Sequence, residues 1–115
     1  MICNRGDVVL VDFPDSNLVT WKRRPALVVQ ADGLSTGLPQ TIVAMITTNT
    51  ARSGHQSRID IDPLSPEGRN SGLRTRSIVM TDNLVTIENQ YLRRTLGSLA
   101  GWLPVDDALR YTLGL

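Results

Sequence analysis

Arg24 carries the clearest chemical signal in the chain, because it sits between Arg23 and Pro25 at the head of the apolar run Ala26-Leu27-Val28-Val29. A guanidinium is permanently cationic and offers a planar fork of donors that matches a phosphate. Proline fixes its own φ and biases the preceding residue toward extended backbone. Arg24 is therefore expected at a strand start, with its guanidinium on a surface. Other groups able to do chemistry are Thr47 and Thr48 at the end of a second apolar run and Asp82-Asn83 between two more. Trp21-Lys22 lies just ahead of Arg24, and Arg52, His55 and Arg58 occupy a polar stretch. No nucleotide-binding glycine loop, HExxH or paired-histidine pattern is present, and the single histidine cannot form a His-His acid–base pair. Arginine, threonine, aspartate and loop amides remain. That set can bind a phosphodiester and stabilise developing charge, and it is equally the inventory of an ordinary surface. Arg24 as a salt-bridge residue, Thr47 as a strand-end cap and Asp82 as a turn residue bonding its own backbone stay open on these grounds.

The elements that position these groups read mostly as strands. Residues 8–13 form a nearly continuous β-branched run, the pattern of a strand buried on both faces. Strands follow at 24–30 and 41–47, with polar loops at 14–20 and 31–40. Residues 48–56 read as a mobile loop. Residues 57–62 alternate Ile59 and Ile61 with charged neighbours, as a half-exposed antiparallel strand does. Residues 63–75 hold two prolines and two glycines and read as a long loop. Two strands, 77–81 and 84–87, flank Asp82-Asn83, and a last strand covers 95–100. Only the end reads as helix. Pro104 suits a first helical position, Asp106 and Asp107 complement the positive end of the helix dipole, and Val105, Ala108, Leu109, Thr112 and Leu113 fall on one face. Short strands at close spacing with one terminal helix predict a mainly β fold, a small barrel or strongly bent sheet.

Bulk properties exclude several classes. The 115 residues make one domain, 1–115, and 41% of them are hydrophobic, too many for a disordered chain. The net charge of +1 provides no global argument for nucleic acid. Eleven of the twelve basic residues are arginine, with Lys22 the exception, a bias that anion binding and GC-rich codon usage both produce. Cys3 is the only cysteine, so an intrachain disulfide and a thiolate zinc cluster are excluded. The first residues lack a secretory pattern and no run approaches the roughly 20 apolar residues of a membrane helix, so a cytoplasmic protein is expected.

Taken in order, four segments resemble the MazF/PemK family of toxin endoribonucleases. Arg5-Gly6-Asp7-Val8-Val9-Leu10-Val11-Asp12-Phe13 is similar to its opening strand and Arg23-Arg24-Pro25-Ala26-Leu27-Val28-Val29 to its arginine–proline strand. Ile42 to Thr48 resembles the third motif, and Ser77 to Ile87 the fourth. The resemblance implies a small SH3-like, CcdB/PemK-type β-barrel with a C-terminal helix, acting as a homodimer. It implies metal-independent, cofactor-free cleavage of single-stranded RNA, in which a 2′-hydroxyl attacks the adjacent phosphate, and a cognate antitoxin as protein partner. Carried over by position, it implies catalytic roles for Arg24, which matches the arginine on the scissile phosphate, for Thr47, and for Asp82, which matches the acidic position that some members use as a general base. With RNA as the substrate, Trp21, Lys22, Thr48, Arg52, His55, Arg76 and Asn83 are the expected RNA-binding residues, as aromatic, basic and polar groups able to stack on a base or contact the backbone. The chain departs from the family pattern at Met80, where some members carry arginine, at Val85, where a basic residue is usual, and at Arg76. Its first loop, Val19-Thr20-Trp21-Lys22, lacks the acidic or histidine residue often found there. Two rivals share the fold: a CcdB-like toxin that binds DNA gyrase, and a catalytically inactive binding module.

Overall fold

A computed structural model describes residues 3–15 and 17–115. Six strands form one antiparallel sheet in the order β4-β5-β3-β2-β1-β6. They are β1 (Asp7–Pro14), β2 (Trp21–Val28), β3 (Gln40–Thr47), β4 (Arg58–Ile61), β5 (Ser77–Glu88) and β6 (Leu92–Ser98). The sheet curls into a half-barrel, and a C-terminal helix packs against it.

The three central strands are apolar on both faces because both faces are covered. Successive side chains of a strand point to opposite sides. Val8, Leu27, Ala44 and Ile46 join Ile59, Ile61, Val79 and the helix residues Val105, Ala108 and Leu109 in one core. Val9, Val11, Ala26, Val28, Val43 and Met45 join Ile87 and Leu92 in the second. The two-faced burial expected of residues 8–13 thus holds for Val8, Val9 and Val11, all fully buried.

Two helices complete the fold. Residues 63–75, expected as a loop throughout, contain the short helix α1 (Pro66–Ser71). The prolines and glycines that argued for a loop are its start and stop signals. Ser65 caps it by accepting from the Gly68 N–H at 3.0 Å, Pro66 occupies the first turn, and Gly72 ends it with φ 75°. Helix α1 lies directly on β6: a Cβ at Gly97 would sit 2.2 Å from the Asn70 carbonyl oxygen. Helix α2 (Leu103–Leu113) matches the expected terminal helix, except that Leu113 is exposed rather than on the packed face. Arg5 ties α2 to the sheet, bonding the Val29 carbonyl through Nη1 and Asp106 through Nη2 at 2.9 Å.

The feature with most consequence for the site is in β5. Two strands around Asp82-Asn83 were expected; one continuous twelve-residue strand forms instead. Its pairing with β3 slips sharply, since Met80 faces Met45 while Leu84 faces Ala44. Thr81, Asp82 and Asn83 therefore have no partner on β3 and form a bulge. Bulges bend a strand and re-aim its side chains, and they are enriched beside functional sites.

Candidate active site

One face of the molecule bears a groove of about 970 Å³. It is lined by the end of β3, Met45 to Thr47, by Met80 of β5 and by Asn83 of the bulge. Lys22 and Arg24 of β2 line it too, as do Asn49 and Arg52 of the segment after β3. The β1–β2 loop contributes Asp15, Asn17, Leu18 and Thr20 to its lining.

Period-two alternation explains which β2 residues enter. Lys22 and Arg24 share a face and point into the groove; Trp21 and Arg23 point away. Trp21 packs on Tyr91 with ring centroids 5.1 Å apart. Arg23 and Arg93 both pair with Asp12. Thr47 ends β3, and its hydroxyl accepts from the Asn49 N–H at 3.1 Å, leaving its own proton free to donate. Asn49 caps a single 3-10 turn, Thr50–Arg52, so part of the segment expected to be mobile is ordered structure that sets Arg52 at the groove.

Residues singled out from the sequence thus separate into two groups. Arg24, Thr47, Lys22, Arg52 and Asn83 line one groove although they come from four separate segments. Asp82, Trp21, Thr48, His55 and Arg76 do not line it. Asp82 is turned outward by the bulge and held by Arg58, Nη2 to Oδ2 at 2.8 Å and Nε to Oδ1 at 3.4 Å. That hydrogen bond holds the Asp82 carboxyl below the ordinary aspartate value. His55 bonds Ser57 through Nδ1 at 2.6 Å and sets its ring edge-on to Tyr111 of α2. Arg76 pairs with Asp62 at 3.7 Å, and Thr48 is exposed.

Asp15 is the functional-looking residue that sequence reasoning missed. Its side chain is only 15% exposed, with Oδ1 lying 3.8 Å from Lys22 Nζ and 3.7 Å from Arg24 Nη2. The Thr20 hydroxyl donates to Oδ2 at 2.6 Å. Around it the loop closes on itself: the Asp15 N–H donates to the Thr20 carbonyl, and the Leu18 N–H to the Asp15 carbonyl, each at 2.9 Å. The available signal was the turn dipeptide Pro14-Asp15 lying between two strands that form a hairpin, which places the loop's first acid beside the next strand's cations.

The fold is a β half-barrel with a terminal helix, and its groove gathers three cations, one carboxylate and a strand-end hydroxyl. A family model for the PemK-like, MazF-like toxin of type II toxin–antitoxin systems matches residues 4–107. The chain belongs to that family. No curated protein matches the sequence significantly. Solved structures agree on the fold. A mycobacterial endoribonuclease in complex with its cognate antitoxin superposes with a TM-score of 0.74 at 21% identity, covering 99% of this chain and 97% of its own. The Mycobacterium tuberculosis toxin MazF-mt6 gives 0.72 at 23% identity, covering 95% and 97%. A MazE–MazF structure from Deinococcus radiodurans gives 0.75 at 17% identity, covering 100% and 99%. None of the described helices is long and apolar enough to cross a membrane.

Proposed function

We propose that this chain is a toxin endoribonuclease that cuts single-stranded RNA without a metal, by attack of a 2′-hydroxyl on its own 3′-phosphate. The products are a 2′,3′-cyclic phosphate and a 5′-hydroxyl. The observation that carries the reading is the convergence of Arg24 from β2 and Thr47 from the end of β3 on one groove. Charge builds on the non-bridging oxygens as the 2′-oxygen bonds to phosphorus. Arg24 supplies a fixed cation with paired donors to those oxygens, and pre-aimed donors of this kind are the largest single contribution in many enzymes. Thr47 donates its free hydroxyl proton to the same phosphate or orients the 2′-hydroxyl. Lys22 and Arg52 hold flanking phosphates, and Asn83 provides an amide for a base edge. Family membership and the antitoxin-bound relative support a cognate antitoxin, and we propose a homodimer as the working form.

The test is cleavage of a long RNA in EDTA by wild type and Arg24→Ala, with product ends mapped. Cuts at a limited set of sites, bearing cyclic phosphate ends and lost in the variant, are expected. Intact RNA with antitoxin-free wild type, together with capture of DNA gyrase, would overturn the assignment in favour of a gyrase-binding toxin.

A further inference from the structure

We infer that Asp15 is the general base that takes the proton from the attacking 2′-hydroxyl. The inference rests on the ribonuclease reading above and supplies the proton acceptor that reading lacks. The groove offers no alternative. Its other ionisable lining residues are Lys22, Arg24 and Arg52, and ammonium and guanidinium groups have no lone pair to accept a proton. Thr47 can orient the 2′-hydroxyl through a hydrogen bond, but a neutral hydroxyl is far too weak a base to take its proton. Asp82, the acid that the family pattern points to, is engaged by Arg58 and faces away from the groove.

Asp15 meets the geometric requirement that a base be within reach of the proton before its strength is considered. Oδ2 is anchored by the Thr20 hydroxyl, so the carboxylate cannot swing freely. Oδ1 is presented to the groove between Lys22 and Arg24 at 3.8 and 3.7 Å. Both separations exceed a hydrogen-bond contact, so neither cation has saturated that oxygen. A phosphate bound by Arg24 brings its neighbouring 2′-hydroxyl to the same corner. The 2′-O–H proton passes to Oδ1 as the 2′-oxygen bonds to phosphorus. The P–O5′ bond breaks, and the departing 5′-oxygen takes a proton from water in the open groove. Asp15 returns its proton to solvent, so the cycle closes with no net change in the enzyme. The groups against Asp15 are Thr20 on its own loop and Lys22 and Arg24 on β2; Arg52 is the remaining cation that lines the groove. No second carboxylate lines the groove among the described residues, so Asp15 is the carboxylate there that can accept the proton.

The experiment compares wild type, Asp15→Asn and Asp15→Glu on a cleavable RNA across pH, with affinity for a non-cleavable 2′-O-methyl RNA measured in parallel. General-base catalysis contributes about 10²–10⁴-fold. Asp15→Asn is expected to lose that much in kcat while KM changes less than about threefold. Its affinity for the 2′-O-methyl RNA should be equal or higher, because a negative charge has left a phosphate site, whereas a merely structural role would weaken it. The fall in kcat/KM toward low pH should disappear with the carboxylate, and Asp15→Glu should restore both turnover and the acidic limb in part. Asp15→Asn turnover within about tenfold of wild type, with the limb intact, overturns the assignment and leaves the ribonuclease reading standing. Inert wild type overturns both. If circular dichroism shows Asp15→Asn unfolded, Asp15→Glu decides: a displaced acidic limb supports the base role and an unmoved one overturns it.

Discussion

The groove makes a quantitative claim about RNA affinity that is independent of catalysis. Three cations line it, Lys22, Arg24 and Arg52. Each phosphate neutralised on a single strand contributes about −0.7 to the slope of log K against log salt. With all three cations engaged the slope is about −2.1, so a fourfold rise in salt weakens binding about 18-fold. Arg52→Ala leaves two contacts, a slope of about −1.4 and a loss of about 7-fold over the same range. Arg94→Ala is the control: that residue lines a separate depression beside Leu10 and Pro25, outside the groove, and its removal should leave the slope unchanged. The assay is fluorescence anisotropy with a 2′-O-methyl RNA of about six nucleotides, short enough to engage one groove and unable to be cut. A wild-type slope shallower than about −1 would refute the groove as the RNA site. So would a slope reduced by Arg94→Ala and untouched by Arg52→Ala.

Arg24→Lys retains the charge but loses the planar fork, so turnover should fall by about 10²–10³-fold while 2′-O-methyl RNA affinity changes little; equal losses in both would make Arg24 a binding residue only. Gly97→Ala places a Cβ 2.2 Å from the Asn70 carbonyl oxygen and 2.5 Å from the Ser71 carbonyl carbon, so α1 must shift. A destabilisation of about 1–3 kcal/mol is expected by thermal unfolding, with RNA cleavage retained well below the melting temperature, because α1 lies on β6, away from the groove. Asp82 has a depressed folded-state pKa caused first by the Arg58 hydrogen bond. Its stabilising contribution is therefore complete above the unfolded aspartate value of about 3.9 and is lost as pH falls through the lower folded value. Asp82→Asn should melt below wild type at neutral pH, with the gap closing in strong acid. A gap that does not change with pH would show that the ion pair is not what Asp82 contributes.

How much of this was legible in the sequence follows from the range of the interactions involved. β1, β2 and β3 were readable because burial on both faces demands unbroken apolar runs, and the runs at 8–11, 26–29 and 42–46 are of that kind. Helix α2 was readable from Pro104, its acidic first turn and the spacing of Val105, Ala108 and Leu109. Helix α1 was hidden by its brevity: six residues show little periodicity, so Ser65, Pro66 and Gly72 counted as loop punctuation although each has a helix-terminus role.

The acids are the harder case, and they show where local reading stops. Asp82 and Asp15 look alike along the chain, each a turn-type residue beside an apolar run. Asp82 is exported because β5 pairs with β3 on both sides of a three-residue slip, which depends on how two strands distant in sequence align as the sheet curls. Asp15 is imported because the β1–β2 register sets Phe13 opposite Lys22 and Val11 opposite Arg24, so the loop folds back over the cations of β2. One inference was within reach without tertiary information. Alternation along β2 puts Lys22 and Arg24 on one face and Trp21 and Arg23 on the other, so Trp21 could not share a groove with both cations; its stacking on Tyr91, a residue of the distant 89–91 turn, needed the tertiary structure. The carboxylate that matters could not be chosen that way. Its identity depends on strand pairing, and the comparison of Asp15→Asn with Asp82→Asn therefore tests the register of this fold as directly as it tests the chemistry.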